Sequence, residues 1–180
     1  MEVWTSLIWG KAILVNSSLS SIPMYMMGFY LLPETTHHKM DSIRARFFWE
    51  GLEKKRKYHM LRWEALCRPK EFRGMGFINT RVMNAALLCK WIFRIESGQE
   101  DLCCSLLRRK YCINRGGFFQ LRQGEGLQFW KGLHVVKRWM SRGSYYELGN
   151  GEAIRFWEDV WKGEIPLKTQ FPNIYKMCWD

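Results

Sequence analysis

The chain has 180 residues, of which 47% are hydrophobic and 16% aromatic, and its formal net charge is +11. This composition allows one packed domain, or one domain with an appendage, and argues against a disordered chain. The six cysteines form no Cys-x-x-Cys pair, and no secretory signal is evident, so neither a disulfide framework nor a zinc finger is indicated.

Positive charge is concentrated in the middle third of the chain. Residues 39–94 contain 14 Lys or Arg and five Asp or Glu, whereas the first 38 residues contain only Glu2, Lys11 and Glu34. A local excess of this kind is typical of a protein with a polyanion partner, nucleic acid first and an anionic membrane surface second. The alternative is a basic protein whose solvated face binds nothing specific.

The uncharged segment 12–33 is long enough to span a bilayer. However, it contains Asn16 and four serines in one half and Pro23 near its centre, and lipid would penalise those polar groups. We therefore predict a buried helix pair broken at Pro23 rather than a membrane anchor.

Periodic spacing of apolar residues predicts a mainly α-helical fold of about six helices. The first helix covers about 4–21, and an apolar run continues from Met24 to Leu32. A third helix follows the Glu34-Thr35-Thr36 cap and ends at Gly51. It is expected to place its apolar residues on one side and its basic residues largely on the other: Met40, Ile43, Phe47 and Phe48 against Lys39, Arg44 and Arg46.

The later helices are predicted at about 80–96, where Asn79 and Thr80 form the cap, and at about 101–111 and 129–140. After Gly143 the period changes to two, and Gly149-Asn150-Gly151 separates short runs of strand-forming residues. This pattern predicts a small β-hairpin near 145–156, followed by a loop-rich C-terminal tail. The predicted domains are residues 1–112 and 113–180.

No catalytic constellation is recognisable in the sequence. The four aspartates lie far apart, and the P-loop, Gly-x-Ser-x-Gly and His-Glu-x-x-His motifs do not occur. His59 and His134 have no visible catalytic partner, and Cys67 would need a base to act as a nucleophile. Cys103-Cys104-x₇-Cys112 fits no zinc-site spacing. We therefore predict no enzyme activity, no cofactor and no metal site.

The candidate site is a set of cations interleaved with aromatic residues in the middle of the chain. Cations can neutralise phosphates, and the faces of Trp49, Tyr58, Trp63 and Phe72 could stack on bases or sugars. We interpret the tryptophans as core anchors and the cations as the contact surface. The predicted nucleic-acid-binding residues are Lys54, Lys55, Arg56, Lys57, Arg62, Arg68, Lys70 and Arg73.

Several blocks of this sequence resemble one family. They are Trp9-Gly10-Lys11, Phe48-Trp49-Glu50-Gly51, Cys67-Arg68-Pro69-Lys70, Gly74-Met75-Gly76-Phe77, Asn84-x-Ala86-Leu87-Leu88-x-Lys90-Trp91 and Ile154-Arg155-Phe156-Trp157-Glu158-Asp159. Together these blocks are similar to the region that follows the catalytic palm in plant non-LTR (LINE-type) retrotransposon reverse transcriptases. They are also similar to uncharacterised reverse-transcriptase-like proteins of plant mitochondria.

The resemblance implies a helical thumb-like and connecting region, suited to holding a template–primer duplex, with palm and fingers as its structural partner in a longer chain. The family's Tyr-x-Asp-Asp motif has no counterpart here, and the match stops before the zinc-binding region. The resemblance therefore implies neither polymerase chemistry nor a metal site. The family usually has glycine where this chain has Arg73. The resemblance makes the nucleus or the mitochondrion the expected compartment.

We therefore expect a catalytically incomplete reverse-transcriptase-like fragment that retains weak, sequence-independent binding to the RNA or DNA backbone through residues 54–73. One alternative is a relic that binds nothing, or a protein–protein interaction module that uses exposed tryptophans. A membrane-associated protein anchored by residues 12–33 is the third interpretation.

Overall fold

The computed structural model describes residues 2–50, 61–112, 118–121, 126–151 and 154–178. The described chain is mainly α-helical, as predicted, and none of it lies in a β-strand. Short π-helical turns continue α1 to Leu19 and α6 to Cys112, and 3₁₀ turns cover Lys70–Phe72 and Phe118–Gln120. The α-helices are α1 (Glu2–Leu14), α2 (Met24–Met27), α3 (Glu34–Glu50), α4 (Trp63–Leu66), α5 (Thr80–Glu96), α6 (Leu102–Leu107), α7 (Gln128–Gly143), α8 (Leu167–Gln170) and α9 (Pro172–Met177).

The chain forms two compact units, Met1–Val136 and Lys137–Asp180. In the first unit α5 is the central element, because it contacts α2, α3, α6 and the turn at Phe118–Gln120. Its buried stripe repeats every three or four residues, as helical periodicity requires: Thr80, Asn84, Leu88, Ile92 and Ile95. The predicted division of the chain after residue 112 stays a prediction.

An aromatic cluster fills the core between α1, α3, α4 and the loop before α5. Trp63 and Phe77 stack with ring centroids 5.0 Å apart and planes 16° apart. Phe48 meets both rings edge-on, and the aliphatic members of the cluster pack around them. Offset-stacked and edge-on pairs of this kind add to the free energy of burial. Trp63 is therefore a core residue, as interpreted from the sequence.

The buried face of α3 differs from the prediction. Arg44 is only 2% exposed and lies on the same buried face as His37 and Phe48, whereas Ile43 is 52% exposed. The expectation that Arg44 lies on the solvent side of this helix is therefore wrong. A buried guanidinium is tolerated when acceptors surround it, and Arg44 has three such acceptors inside the fold.

The segment 12–33 is interrupted at Pro23, which immediately precedes α2, and it is only partly buried: Val15, Ser20 and Met27 lie inside the fold. Ile13, Ile22 and Tyr25 are among its exposed apolar residues. The Ser20 hydroxyl donates to the carbonyl of Val15 at 2.7 Å, which satisfies that serine within the turn. No helix in the described ranges has both the length and the hydropathy required to cross a bilayer.

In the second unit, the described residues of the predicted hairpin, 145–151 and 154–156, form no strand. The backbone N–H of Tyr146 donates instead to the carbonyl of Val160 at 3.0 Å. Arg155 starts a helical turn, because the N–H groups of Glu158 and Asp159 both donate to its carbonyl. The buried carboxylate of Asp159 accepts bonds from the backbone and the guanidinium of Arg155. These bonds between Arg155 and Asp159 hold the chain in a helical turn that begins at Arg155. The predicted hairpin would require extended backbone at the same residue.

Candidate nucleic-acid interface

The eight predicted nucleic-acid-binding residues fall into two groups. Lys54, Lys55, Arg56 and Lys57 lie outside the described residues. The other four are exposed, with Arg62 at the N-terminus of α4 and the rest in the loop that joins α4 to α5. We call residues 68–74, which contain Arg68, Lys70 and Arg73, the cationic loop.

The cationic loop is closed on itself by backbone contacts. The N–H of Gly74 donates to the carbonyl of Pro69 at 3.1 Å, and the N–H of Gly76 donates to that of Arg68 at 3.0 Å. A Cβ atom on Gly74 would lie 1.9 Å from the carbonyl oxygen of Arg68, so this position requires glycine. The close approach of Gly74 to Arg68 brings the two ends of the loop together. Arg68 and Arg73 consequently extend from neighbouring points of the backbone.

Arg73 adopts a left-handed backbone conformation, with φ of 60° and ψ of 24°. It is the one non-glycine residue with positive φ in the described part of the chain. Such a conformation costs an L-residue about 1–2 kcal/mol, whereas glycine adopts it freely. The turn that it completes, with its N–H donating to the carbonyl of Lys70 at 3.0 Å, is therefore one that glycine would also form.

The residues that follow the loop, 75–78, are held by hydrogen bonds on two sides. On one side, the carbonyl of Leu66 accepts the N–H of Met75 at 3.0 Å. On the other side, Asn16 from the turn after α1 donates to the carbonyl of Gly76 at 3.3 Å and accepts the N–H of Ile78 at 3.2 Å. These bonds fix the position of the residues that follow the loop. The backbone that carries the cations therefore has a defined conformation.

The cations of this region have no described carboxylate within 4.0 Å, in contrast to the paired arginines elsewhere in the molecule. Glu64 and Glu71 are exposed acids in the same stretch and reduce its local charge. Phe72, between Glu71 and Arg73, is 69% exposed. The loop therefore presents to solvent one aromatic ring and three cations that have no carboxylate partner among the described residues.

A second set of charged residues forms a partly buried network that sequence inspection did not find. Arg44 donates from Nη1 to the Ser20 hydroxyl at 3.0 Å and to the carbonyl of Ile78 at 2.8 Å. Its other nitrogen, Nη2, pairs with Asp41 at 2.5 Å, and Asp41 in turn accepts from Arg81 at 2.6 Å. The guanidinium of Arg44 also lies 5.3 Å from the centroid of the Trp63 ring.

This network perturbs the pKa values of its members. Burial alone would raise the pKa of the Asp41 carboxyl, but the hydrogen bonds and charges of Arg81 and Arg44 outweigh burial and hold that pKa below its usual value. His37 is buried and lies 3.0 Å from the Thr80 hydroxyl. Burial, aided by the charge of Arg81, lowers the pKa of His37.

Asn84 was also missed as a key residue of the fold. Its amide nitrogen donates to the carbonyls of Met27 and Tyr30, at 2.7 and 2.9 Å, and its oxygen accepts the N–H of Leu32 at 2.9 Å. It thus satisfies three backbone groups at the end of α2 and in the segment that follows it. The available signal was a polar residue within the buried stripe of α5, because such a residue requires internal partners.

Cys67 and the three described aspartates lie in environments set by burial or by arginine partners. Burial raises the pKa of the Cys67 thiol to about 11, so the nucleophilic thiolate is scarce at neutral pH. Asp41, Asp101 and Asp159 each accept from an arginine side chain. Across the described ranges, no three His, Cys, Asp or Glu side chains converge on a point where a metal ion could bind.

Two plant proteins, both from Arabidopsis thaliana, are similar to the chain. It is 29% identical over 131 residues, 72% of this chain, to "Putative ribonuclease H protein At1g65750", of which the match covers 21%. It is 36% identical over 92 residues, 51% of this chain, to "Uncharacterized mitochondrial protein AtMg00310", of which the match covers 60%. The chain thus spans about a fifth and about three fifths of these relatives.

No protein-family model matches the chain, and no solved structure matches it. The expected similarity to an uncharacterised plant mitochondrial protein is confirmed by the second relative. The finer prediction, a thumb and connecting region of a reverse transcriptase, stays a prediction.

Proposed function

We propose that this chain is a catalytically incomplete, reverse-transcriptase-like fragment of retrotransposon origin that binds the nucleic-acid backbone without sequence specificity. Binding uses the cationic loop, Arg62 and the basic run Lys54-Lys55-Arg56-Lys57. The observation that supports this most is the loop itself: three exposed cations on an anchored backbone, with no acid partner among the described residues. Such cations are available to displace the counterions of a phosphate backbone.

The proposal includes no polymerase chemistry. The three described aspartates are engaged in ion pairs with arginines, and two of them also accept backbone N–H groups. A two-metal phosphoryl-transfer site requires carboxylates that are free to converge on metal ions. The palm and fingers that would supply these carboxylates are proposed as the partner of this unit in a longer chain.

Fluorescence anisotropy with a labelled 20-base-pair duplex tests the backbone-binding proposal. The affinity should fall steeply between about 50 and 200 mM KCl, because each phosphate contact releases a counterion. Replacing Lys54, Lys55, Arg56 and Lys57 with alanine, or Arg68, Lys70 and Arg73 with alanine, should weaken binding and flatten that dependence. Undetectable binding at low salt, or affinity unchanged in both variants, would contradict the proposal.

A second candidate function, protein–protein association, is favoured by the surface of α1. Trp9 is 60% exposed, and Leu7 and Ile13 on the same short helix are exposed as well. An apolar patch of this kind is typical of a surface that a protein partner covers. Sedimentation velocity without nucleic acid distinguishes the two functions. Concentration-dependent association that Trp9→Ser and Ile13→Ser abolish would support the second, and a monomer at all concentrations would count against self-association.

A further inference from the structure

The exposed ring of Phe72 lies within the set of exposed cations of the cationic loop. It lies in the 3₁₀ turn of the cationic loop, and its backbone N–H donates to the carbonyl of Pro69 at 2.9 Å. Two of the loop cations, Lys70 and Arg73, flank it within two residues. An aromatic face beside cations, on a backbone that is already ordered, is the arrangement by which proteins hold unpaired bases.

We propose that the cationic loop is a preformed site for single-stranded nucleic acid, in which Phe72 stacks on one base while Arg68, Lys70 and Arg73 contact the flanking phosphates. This inference rests on the proposed function and adds to its backbone binding a stacking contact that only single strands can make. The faces of bases are accessible in a single strand, whereas a duplex covers them by stacking.

The backbone of the loop supports this assignment. Gly74 approaches the backbone of Arg68 so closely that no side chain fits between them, which brings the backbone on either side of the loop, at Arg68 and next to Arg73, close together. The aliphatic stem of Lys70 passes Gly76, with its Cγ 3.8 Å from where a Cβ would lie. Little ordering of the backbone therefore remains for the binding step, which reduces its entropic cost.

The backbone conformation of Arg73 also supports a binding site at the cationic loop. A charged residue stays in the left-handed region, where glycine would be less strained, at the position next to the exposed ring. Strain of this kind is found preferentially at functional sites, where the side chain is needed. Glu71, the exposed acid of the loop, limits the attraction to phosphates and so makes the stacking contribution of Phe72 proportionately larger.

The test compares a labelled 15-mer of deoxythymidine with a 15-base-pair duplex at about 50 mM KCl, by anisotropy. Phe72→Leu should weaken binding to the single strand about 5- to 150-fold, which is the range for loss of one stacked base. Its affinity for the duplex should change by less than about twofold, because a duplex presents no free base face. Phe72→Trp should restore single-strand binding. Phe93→Leu on α5, a phenylalanine that is 55% exposed, is the matched control and should change neither affinity.

The outcomes separate this inference from the proposed function. If Phe72→Leu changes neither affinity, or both equally, while alanine at Arg68, Lys70 and Arg73 still weakens binding, the single-strand site is wrong and the proposed function stands. If the wild-type protein binds neither probe, the proposed function fails and the single-strand site fails with it. The thermal midpoint of each variant verifies that it is folded.

Discussion

The arginines of α3 and α5 and the cations of the loop between α4 and α5 are equal in charge but differ in their partners. Arg44 and Arg81 share the carboxylate of Asp41, and Arg44 also bonds to a hydroxyl and a carbonyl inside the fold. Arg68 and Arg73 are exposed and have no carboxylate within 4.0 Å in the described ranges. The first pair is held inside the fold, and the second is the pair that we propose contacts a polyanion.

The comparison shows that net charge is a poor guide to binding until the partner of each cation is known. A paired arginine contributes little to the attraction of phosphate, because its neighbouring carboxylate cancels most of its field. If the proposed binding is correct, affinity should depend on the unpaired cations of the loop, and substitutions in the two regions should have opposite consequences for stability and for binding.

The largest expected effect is a loss of stability on substitution of the buried residue Arg44. Arg44→Met should lower the free energy of unfolding by about 3–5 kcal/mol, because it removes one partner of a buried ion pair and leaves acceptors without a donor. Urea denaturation measures this change. Arg46→Met, an exposed arginine on the same helix, should stay within about 0.5 kcal/mol of the wild type. Equal losses in the two variants would show that burial of Arg44 is unimportant.

A smaller loss is expected at Asn84. Asn84→Leu keeps the approximate size of the side chain but removes the amide that donates to the carbonyls of Met27 and Tyr30. The unsatisfied acceptors should reduce stability by about 1–3 kcal/mol in the same denaturation experiment. Asn173→Leu, at an exposed position on α9, is the matched control. A loss as small as that of the control would contradict the role of Asn84.

The pH dependence of stability should come from the same network. The pKa of His37 is lowered from 6.5 in the folded state, so the folded protein holds fewer protons on this group than the unfolded chain does. The stabilisation is complete above pH 6.5 and is lost as the pH falls through the folded pKa. Asp41, whose pKa is also lowered, adds a further loss below its ordinary value of 3.8. The thermal midpoint should therefore drop between pH 7.5 and 5.5, and less so in His37→Gln. A thermal midpoint that rises as the pH falls would contradict the predicted direction of this pH dependence.

The smallest expected change in stability is a gain at the surface. Arg73→Gly relieves a left-handed conformation that costs about 1–2 kcal/mol, but glycine also loses about 0.5–1 kcal/mol of chain entropy on folding. The net gain should be about 0–1 kcal/mol by urea denaturation, together with weaker nucleic-acid binding. A variant that is less stable and binds equally well would contradict both assignments for Arg73.

Local signals in the sequence predicted part of this fold. The helix beginning at Thr80 and its cap are confirmed, since the Asn79 side chain accepts the N–H groups of Arg81 and Val82. Trp63 is a core residue as expected. These features depend on residues only a few positions apart, or on a large apolar ring that has to be buried somewhere.

The failures have a common physical cause, because they depend on partners that local patterns do not reveal. Arg44 is buried because it meets Ser20, 24 positions away, and Ile78, 34 positions away. In the described residues of the predicted hairpin near 145–156 no strand forms, and a turn held by Asp159 on the backbone and side chain of Arg155 follows, a pairing that the Asn-Gly pattern does not reveal. Of the candidate site, the exposure of Arg62, Arg68, Lys70 and Arg73 agrees with the prediction, whereas the left-handed conformation of Arg73 has no signature in its own residue type.

The most direct test of this account compares the salt dependence of nucleic-acid affinity in Arg73→Gln and Arg81→Gln. Each substitution removes one positive charge, one from the cationic loop and one from the ion pairs with Glu34 and Asp41. The slope of log affinity against log salt should become shallower by about 0.7–0.9 in Arg73→Gln, as expected for one lost phosphate contact, and should be unchanged in Arg81→Gln. Equal slopes in the two variants would show that total charge, rather than unpaired charge in the loop, determines binding.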